Sequence, residues 1–227
     1  MPRTARVIAP GLPHHIVQRG HDRRAVFFED EDYLYYLSAL QEWKTKLGLR
    51  VYAWCLMTNH VHLIVNPGED CAGIPRLMKR LAGRQTRYVN KLRKRSGTLW
   101  DGRYKSSPIE TDVYLLQCCR YVELNPVKAR MVGRAEDYRW STYRSKIGLE
   151  QSSILDLDPC YLRLSVPERS YRQFVEEGIS EQEQSFIQNR VRRNGLTGTS
   201  QFVEEVEERT GIRIESRPQG RPRKLAK

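Results

Sequence analysis

Two apolar runs, Arg50 to Met57 and His60 to Val65, are separated only by Thr58 and Asn59. So short a connection leaves each run the other as its partner, and the pair reads as an antiparallel hairpin closed by Pro67 and Gly68. An earlier strand is read over His14 to Arg19, bracketed by Pro10, Gly11 and Pro13 on one side and by Gly20 on the other. Between it and the hairpin, Leu34, Leu37, Leu40 and Leu47 recur at helical spacing beside Tyr33, Tyr36 and Trp43, which predicts a helix over Glu31 to Lys46 that stops at Gly48.

A second amphipathic helix is predicted over Ile74 to Arg95, with Leu77, Met78, Leu81, Tyr88, Val89 and Leu92 on its apolar side. Lys105 to Glu110 alternates weakly as a strand. Thr111 or Asp112 then serves as the N-cap of a helix that ends before Asn125 and Pro126. The order β-α-β-β-α-β-α predicts an α+β domain, helices packed on an antiparallel sheet, over residues 1–148. Residues 149–216 read as a small helical extension of three short stretches, with capping boxes at Ser165-x-x-Glu168 and Ser180-x-x-Glu183. Residues 217–227 carry five basic residues and no acid, with Gly220 and two prolines, and read as a flexible basic tail.

Charge narrows the partners. Among 227 residues, 39 Lys and Arg against 27 Asp and Glu leave a formal net charge of +12, which favours nucleic acid. The second predicted helix concentrates it: Arg76, Arg80, Arg84, Arg87, Lys91 and Lys94 follow at helical spacing, with no acid from Cys71 through Trp100. A charged face is commonly only a solvated face, but such faces mix signs, so a phosphate-binding stripe is the favoured reading. Several classes drop out. There is no phosphate-binding Walker loop, no G-x-G-x-x-G and no C-x-x-C pair, so neither a nucleotide cofactor nor a zinc knuckle is expected, and the five cysteines read as reduced thiols. No apolar run approaches the roughly 20 residues that cross a bilayer, and nothing after Met1 reads as a signal peptide, so a cytoplasmic, nucleoid-associated protein is expected.

The candidate chemistry lies in two motifs. In Asn59-His60-Val61-His62-Leu63, strand alternation sends both imidazoles to one face, where they can share a metal; two surface histidines would look the same. In Arg120-Tyr121-Val122-Glu123-Leu124-Asn125-Pro126, a phenol and a carboxamide four residues apart offer a nucleophile and a neutral oxygen ligand, against the alternative of a packed aromatic and a helix-ending Asn. Tyr114 and Tyr104 compete for the nucleophile's role on periodicity alone. His14 and His15 read as structural or DNA-contacting, because adjacent strand residues face opposite sides and at most one could join a site.

Taken together, NHVHLIV, RYVELNPVKARMV about sixty residues on, and DYRWSTYRS, with MPRTARV, HHIVQRG and LWDGRYKS, resemble the REP-associated tyrosine transposases of the single-tyrosine HUH family over Met1 to Gly148. The resemblance implies a ferredoxin-like catalytic domain that cuts and rejoins single-stranded DNA beside palindromic hairpins. It implies His60 and His62 as metal ligands, Tyr121 as the nucleophile that forms a 5′-phosphotyrosine, and Asn125 as the polar residue completing the site. Many members carry Gln at that last position, and Asn125 has a shorter arm. A mixed nitrogen and oxygen site is compatible with Mg²⁺ or Mn²⁺, the metals the resemblance implies. The resemblance leaves a homodimer open. At the C-terminus, Pro218 to Lys224 resembles an AT-hook, with Gln219 where Arg is usual, so Arg221 and Arg223 are candidate DNA contacts, equally readable as part of a polybasic tail. A non-catalytic module that binds structured DNA is the main rival, and a phosphodiesterase using water is the third reading.

Overall fold

The computed structural model describes residues 6–212, so the basic tail with Arg221 and Arg223, and most of the opening MPRTARV, lie outside the described residues. The chain runs β1 (His14–Arg19), α1 (Asp30–Lys46), β2 (Arg50–Met57), β3 (His60–Asn66), α2 (Gly73–Leu92), β4 (Lys105–Pro108), α3 (Thr111–Glu123), α4 (Asn125–Lys128), α5 (Tyr143–Lys146), α6 (Pro159–Leu162), α7 (Pro167–Glu176), α8 (Glu181–Arg193) and α9 (Ser200–Thr210). The strands form one sheet in the order β2-β3-β1-β4, and every pairing is antiparallel. This is the ferredoxin-like α+β arrangement expected from the sequence.

Strand alternation divides the sheet into two faces. The β1–β3 register sets Val17 opposite His62 and Arg19 opposite His60, so His15, Val17 and Arg19 share a face with both histidines. α3 covers that face, bringing the Tyr121 ring against His15 and His62. Ile16, Val61 and Leu63 point the other way, are fully buried, and are closed over by the packed pair α1 and α2. α1 begins where predicted because Glu29 and Asp32 form a reciprocal capping box, and the buried Asp32 carboxylate accepts from the backbone N–H of Phe28 at 2.7 Å. Gly20 ends β1 at a place where a side chain does not fit: a Cβ there would lie 2.2 Å from the Arg24 carbonyl oxygen.

Several boundaries differ from expectation. α2 ends at Leu92 rather than Arg95. The N-cap of α3 is Glu110, and Thr111 is already helical. The Ser180–Glu183 box forms, but the Ser165–Glu168 box does not, because Pro167 takes the first turn and makes Val166 the cap. Among the described residues four helices, not three, follow residue 149. α6, α7 and α8 share the main core, with Cys160, Tyr161, Tyr171, Val175 and Ile187 in the same buried cluster as the strands, whereas α9 packs Phe202, Val203 and Val206 into a second cluster with Val7, Ala9 and Leu196. The segment after α8 is tied to β4: Thr197 donates to the Pro108 carbonyl at 2.8 Å, Glu110 N–H donates to Thr197 O at 2.9 Å, and Asn194 Oδ1 accepts from Ser106 N–H at 3.1 Å. All five cysteines are free, and among the described residues no helix is long and apolar enough to cross a membrane.

His14 is a structural residue and is fully buried, so it does not reach DNA. Its Nδ1 lies 2.8 Å from the Leu12 carbonyl and its Nε2 accepts from Ala9 N–H at 3.1 Å, an arrangement only the neutral ring satisfies. Burial lowers its pKa to about 4, against a partly opposing hydrogen bond to Leu12. A depressed folded-state value means stability that is present above about pH 6.5 and lost as pH falls towards 4, on the order of 3 kcal/mol for this ring. Urea unfolding at pH 7 and pH 4.5 is expected to show the drop, blunted in His14→Gln; an equal pH dependence in the two proteins would contradict it.

Candidate active site

A cleft of about 440 Å³ opens where β1, β3, β4, α3, α4 and α8 meet. His60, His62, Tyr121 and Asn125 all line it, so the structure brings together the four residues that the two motifs singled out. Each of the three ligand candidates is oriented by a hydrogen bond from its far side. His60 Nδ1 lies 2.6 Å from Asn59 Oδ1, and His62 Nδ1 lies 2.9 Å from His15 Nε2, which leaves both Nε2 atoms uncommitted. Asn125 turns its Nδ2 inward to donate to the Tyr121 and Val122 carbonyls at 2.8 and 3.2 Å, so Oδ1 is the free end of the amide. Asn125 does this from the first residue of α4, one turn beyond Tyr121, with Pro126 at the start of the new helix.

Burial keeps the two imidazoles of this set uncharged. Burial lowers the His60 pKa to about 4, with Arg19 adding to the effect. Burial also pushes His62 well down, reinforced by His60, His15 and Arg19. Both rings are therefore neutral near pH 7, with lone pairs available to a cation. Among the described residues no group of three His, Cys, Asp or Glu side chains is placed to hold a metal, and Asn125 adds a neutral amide oxygen to the two imidazoles in the cleft. Two imidazoles and one amide oxygen with open positions fit a divalent ion that must also accept phosphate oxygens.

His15 is absent from the cleft surface, being fully buried, which leaves the structural one of its two readings and removes the DNA-contacting one. It stands behind the site, hydrogen-bonded to His62 and edge-on to the Tyr121 ring at 5.5 Å. Burial brings its pKa to about 3, so it too is neutral. If His62 Nε2 is to bind a metal, His62 must carry its proton on Nδ1 and donate it to His15 Nε2.

Tyr121 is 7% exposed, at the foot of the cleft. Burial, with Cys118 adding and Arg19 opposing, pushes its pKa up to about 12. Its rivals are engaged elsewhere: Tyr114 packs on Phe186 at 5.6 Å, and Tyr104 lies under the Arg6 guanidinium at 4.2 Å. Around the opening stand Arg19, Arg23, Arg103, Lys105 and Arg192 against the single acid Asp101, an anion-attracting rim. The sequence reading missed these cations. Arg19 was discoverable, since it shares strand parity with His15 and Val17; Gln188 and Arg192 arrive from α8 with no local signal.

The α2 stripe is elsewhere. None of Arg76, Arg80, Arg84, Arg87, Lys91 and Lys94 lines the cleft. Arg76 pairs with Asp70, Arg84 pairs with Glu42, and Arg80 lies over the Trp43 ring at 4.6 Å.

The sequence model of the family described as "Transposase IS200 like" matches residues 10–125, which run from just before β1 to Asn125 and take in the first motif whole and the second as far as Asn125. The chain belongs to the IS200-like transposases. Its class of activity is accordingly transposition, with DNA as the bound partner. The fold agrees: a solved REP-associated tyrosine transposase, described as bound to a REP hairpin, superposes with a TM-score of 0.57 at 17% identity, over 70% of this chain and 99% of that one. A putative transposase from Deinococcus radiodurans R1 is 20% identical, over 60% of this chain and 98% of that one, with a TM-score of 0.36. Comparison with curated proteins gives no match. For this IS200-like transposase, the matched segment ends at Asn125, so α8 and its cleft residues come from beyond it.

Proposed function

We propose that this transposase cleaves and rejoins single-stranded DNA beside a hairpin through a covalent link to Tyr121, at a site that His60, His62 and Asn125 build for Mg²⁺ or Mn²⁺. The observation that carries the reading is the convergence, in one cation-rimmed cleft, of a phenol with three ligand atoms each left free by a hydrogen bond on its other side. The hairpin is taken from the fold relative, described as bound to one.

Rim cations hold the strand by its phosphates and set the scissile phosphorus over Tyr121. The Tyr121 oxygen attacks phosphorus, forming an Oη–P bond as the P–O3′ bond breaks; the phenolic proton leaves and the departing 3′ oxygen ends as a hydroxyl. The DNA is then joined to the enzyme as a 5′-phosphotyrosine, and attack by another 3′-OH reverses the step without a nucleotide cofactor. A divalent ion, when bound, supplies Lewis-acid polarisation of the phosphoryl oxygen. The α2 stripe, on the far face of the sheet, is assigned to holding duplex phosphates of the hairpin, and Arg221 and Arg223 of the tail to added DNA affinity.

An end-labelled hairpin with a single-stranded flank, incubated with Mn²⁺ or with EDTA and resolved on a denaturing gel, tests this reading. Cleavage that needs the metal is the expected result; binding of a panel of hairpins without cleavage would leave a DNA-binding module as the better account. His15 gives a finer test. His15→Phe removes the acceptor that orients His62 and is expected to weaken Mn²⁺ binding by about 10- to 100-fold, measured calorimetrically without DNA. His15→Gln, which keeps an acceptor, should recover part of it; unchanged affinity in His15→Phe would contradict the assignment.

A further inference from the structure

α8 is held at both ends. At its start, the buried Arg120 guanidinium donates to Glu183 at 3.1 Å and to the Phe174 carbonyl at 3.2 Å, and its carbon lies 4.0 Å from the Phe174 ring centre. Arg120 is the residue before Tyr121, so the helix that presents the phenol also grips the start of α8. At its end, Asn194 adopts a left-handed conformation that terminates α8 and turns its Oδ1 to the backbone of β4, where Thr197 continues the pairing. Pinned in this way across the open edge of the sheet, α8 projects Gln188, Val191 and Arg192 into the catalytic cleft. Gln188 and Arg192 are one turn apart on the same face, and both are exposed.

We infer that α8 is a built wall of the DNA-binding cleft, with Arg192 taking a backbone phosphate of the single strand beside the scissile position and Gln188 donating to the same stretch of strand. The inference deepens the proposed function and rests on its strand-binding part, though not on the metal or the covalent step. It makes the region after residue 148 part of the active site rather than an appendage. The chemistry is that of a planar guanidinium with five donors against a phosphate, facing Arg19, Arg103 and Lys105 across the cleft. Val191 is buried beneath these two side chains and seats the helix, so the contact surface does not need to form on binding.

The test is fluorescence anisotropy of the full chain with a labelled hairpin bearing a single-stranded flank, in EDTA so that no cleavage occurs, across a range of salt. Arg192→Ala is expected to weaken binding about tenfold and to reduce the slope of log K against log salt by about 0.7, the share of one phosphate contact on a single strand. Arg192→Lys should keep most of the slope, and Arg209→Ala, which removes an exposed cation from α9, should change it little. A blunt hairpin without the flank should respond little to Arg192→Ala. Unchanged affinity and slope in Arg192→Ala, with binding by the wild type intact, would overturn the inference alone. Failure of the wild type to bind any strand would overturn it together with the proposed function. Strand binding that depends on Arg192 but never leads to metal-dependent cleavage would sustain the inference and remove the catalytic reading.

Discussion

Tyr121→Phe is expected to abolish the covalent protein–DNA product while leaving hairpin affinity within about twofold of wild type. The substitution removes one oxygen at the foot of the cleft and keeps the ring that packs edge-on against His15 and His62, at 5.5 and 5.8 Å. The imidazoles, the Asn125 amide and the rim cations stay in place, so Mn²⁺ and DNA binding have no reason to change. Loss of the nucleophile itself is absolute for adduct formation and reduces strand transfer by at least about 10³-fold. Because burial holds the phenol near a pKa of 12, little phenolate exists at neutral pH, and wild-type cleavage should climb as pH rises from 7 to 9. A single-turnover assay on the labelled hairpin measures both effects. Residual cleavage at wild-type rate in Tyr121→Phe would show that water, not Tyr121, attacks the phosphate.

Lys146→Met is expected to cost about 3–5 kcal/mol of folding free energy. Lys146 is fully buried at the end of α5, with Glu123 at 3.6 Å and Asp158 at 3.9 Å, and both of these partners are fully buried too. Glu123 accepts from Thr142 and Tyr171 hydroxyls at 2.6 Å each, Tyr161 donates to the Lys146 carbonyl at 2.5 Å, and Asp158 Oδ1 accepts from Tyr161 N–H at 2.9 Å, while Asp158 Oδ2 has the Lys146 ammonium and, among the described residues, no hydrogen-bond partner. Burial alone would lower the ammonium's pKa, but Cys119, Glu123 and Asp158 outweigh it and raise the value instead. Removing the cation strands two acidic side chains in the core, which costs more than the pair contributed. Glu123 is two residues from Tyr121, so the same cluster holds the last turn of α3, and through it the phenol. Urea unfolding of Lys146→Met checks this; a loss under about 1 kcal/mol would mean that the cluster contributes little. Adding Glu123→Gln to the variant should restore part of the stability, since it removes one of the two acids left unpartnered.

What was legible from sequence was local. Strand alternation placed His60 and His62 on one face, a two-residue connection specified the hairpin, and a four-residue spacing put Asn125 one turn beyond Tyr121. What was illegible depends on residues brought together from far apart. His15 supports His62 only because β1 lies beside β3, 47 residues away in sequence. Arg192 joins the cleft because two anchors hold α8 across the sheet edge, and no pattern within α8 announces that. The cations from Arg76 to Lys91 do lie on α2, with Lys94 beyond its last residue, but periodicity cannot say which face of a sheet a helix covers, and this one lies away from the cleft. The Ser165 box failed on a competing local rule, with Pro167 fixing the helix start one residue later than a serine cap needs.

The central claim is that one particular tyrosine becomes joined to DNA. The measurement that tests it most directly is proteolysis of the protein–DNA product formed with a hairpin and Mn²⁺, followed by mass spectrometry of the peptide that carries the nucleotide. The account predicts a phosphotyrosyl nucleotide on Tyr121 and unmodified Tyr104 and Tyr114. A nucleotide found on either of those residues, or metal-dependent cleavage that leaves no nucleotide on the protein, would contradict it.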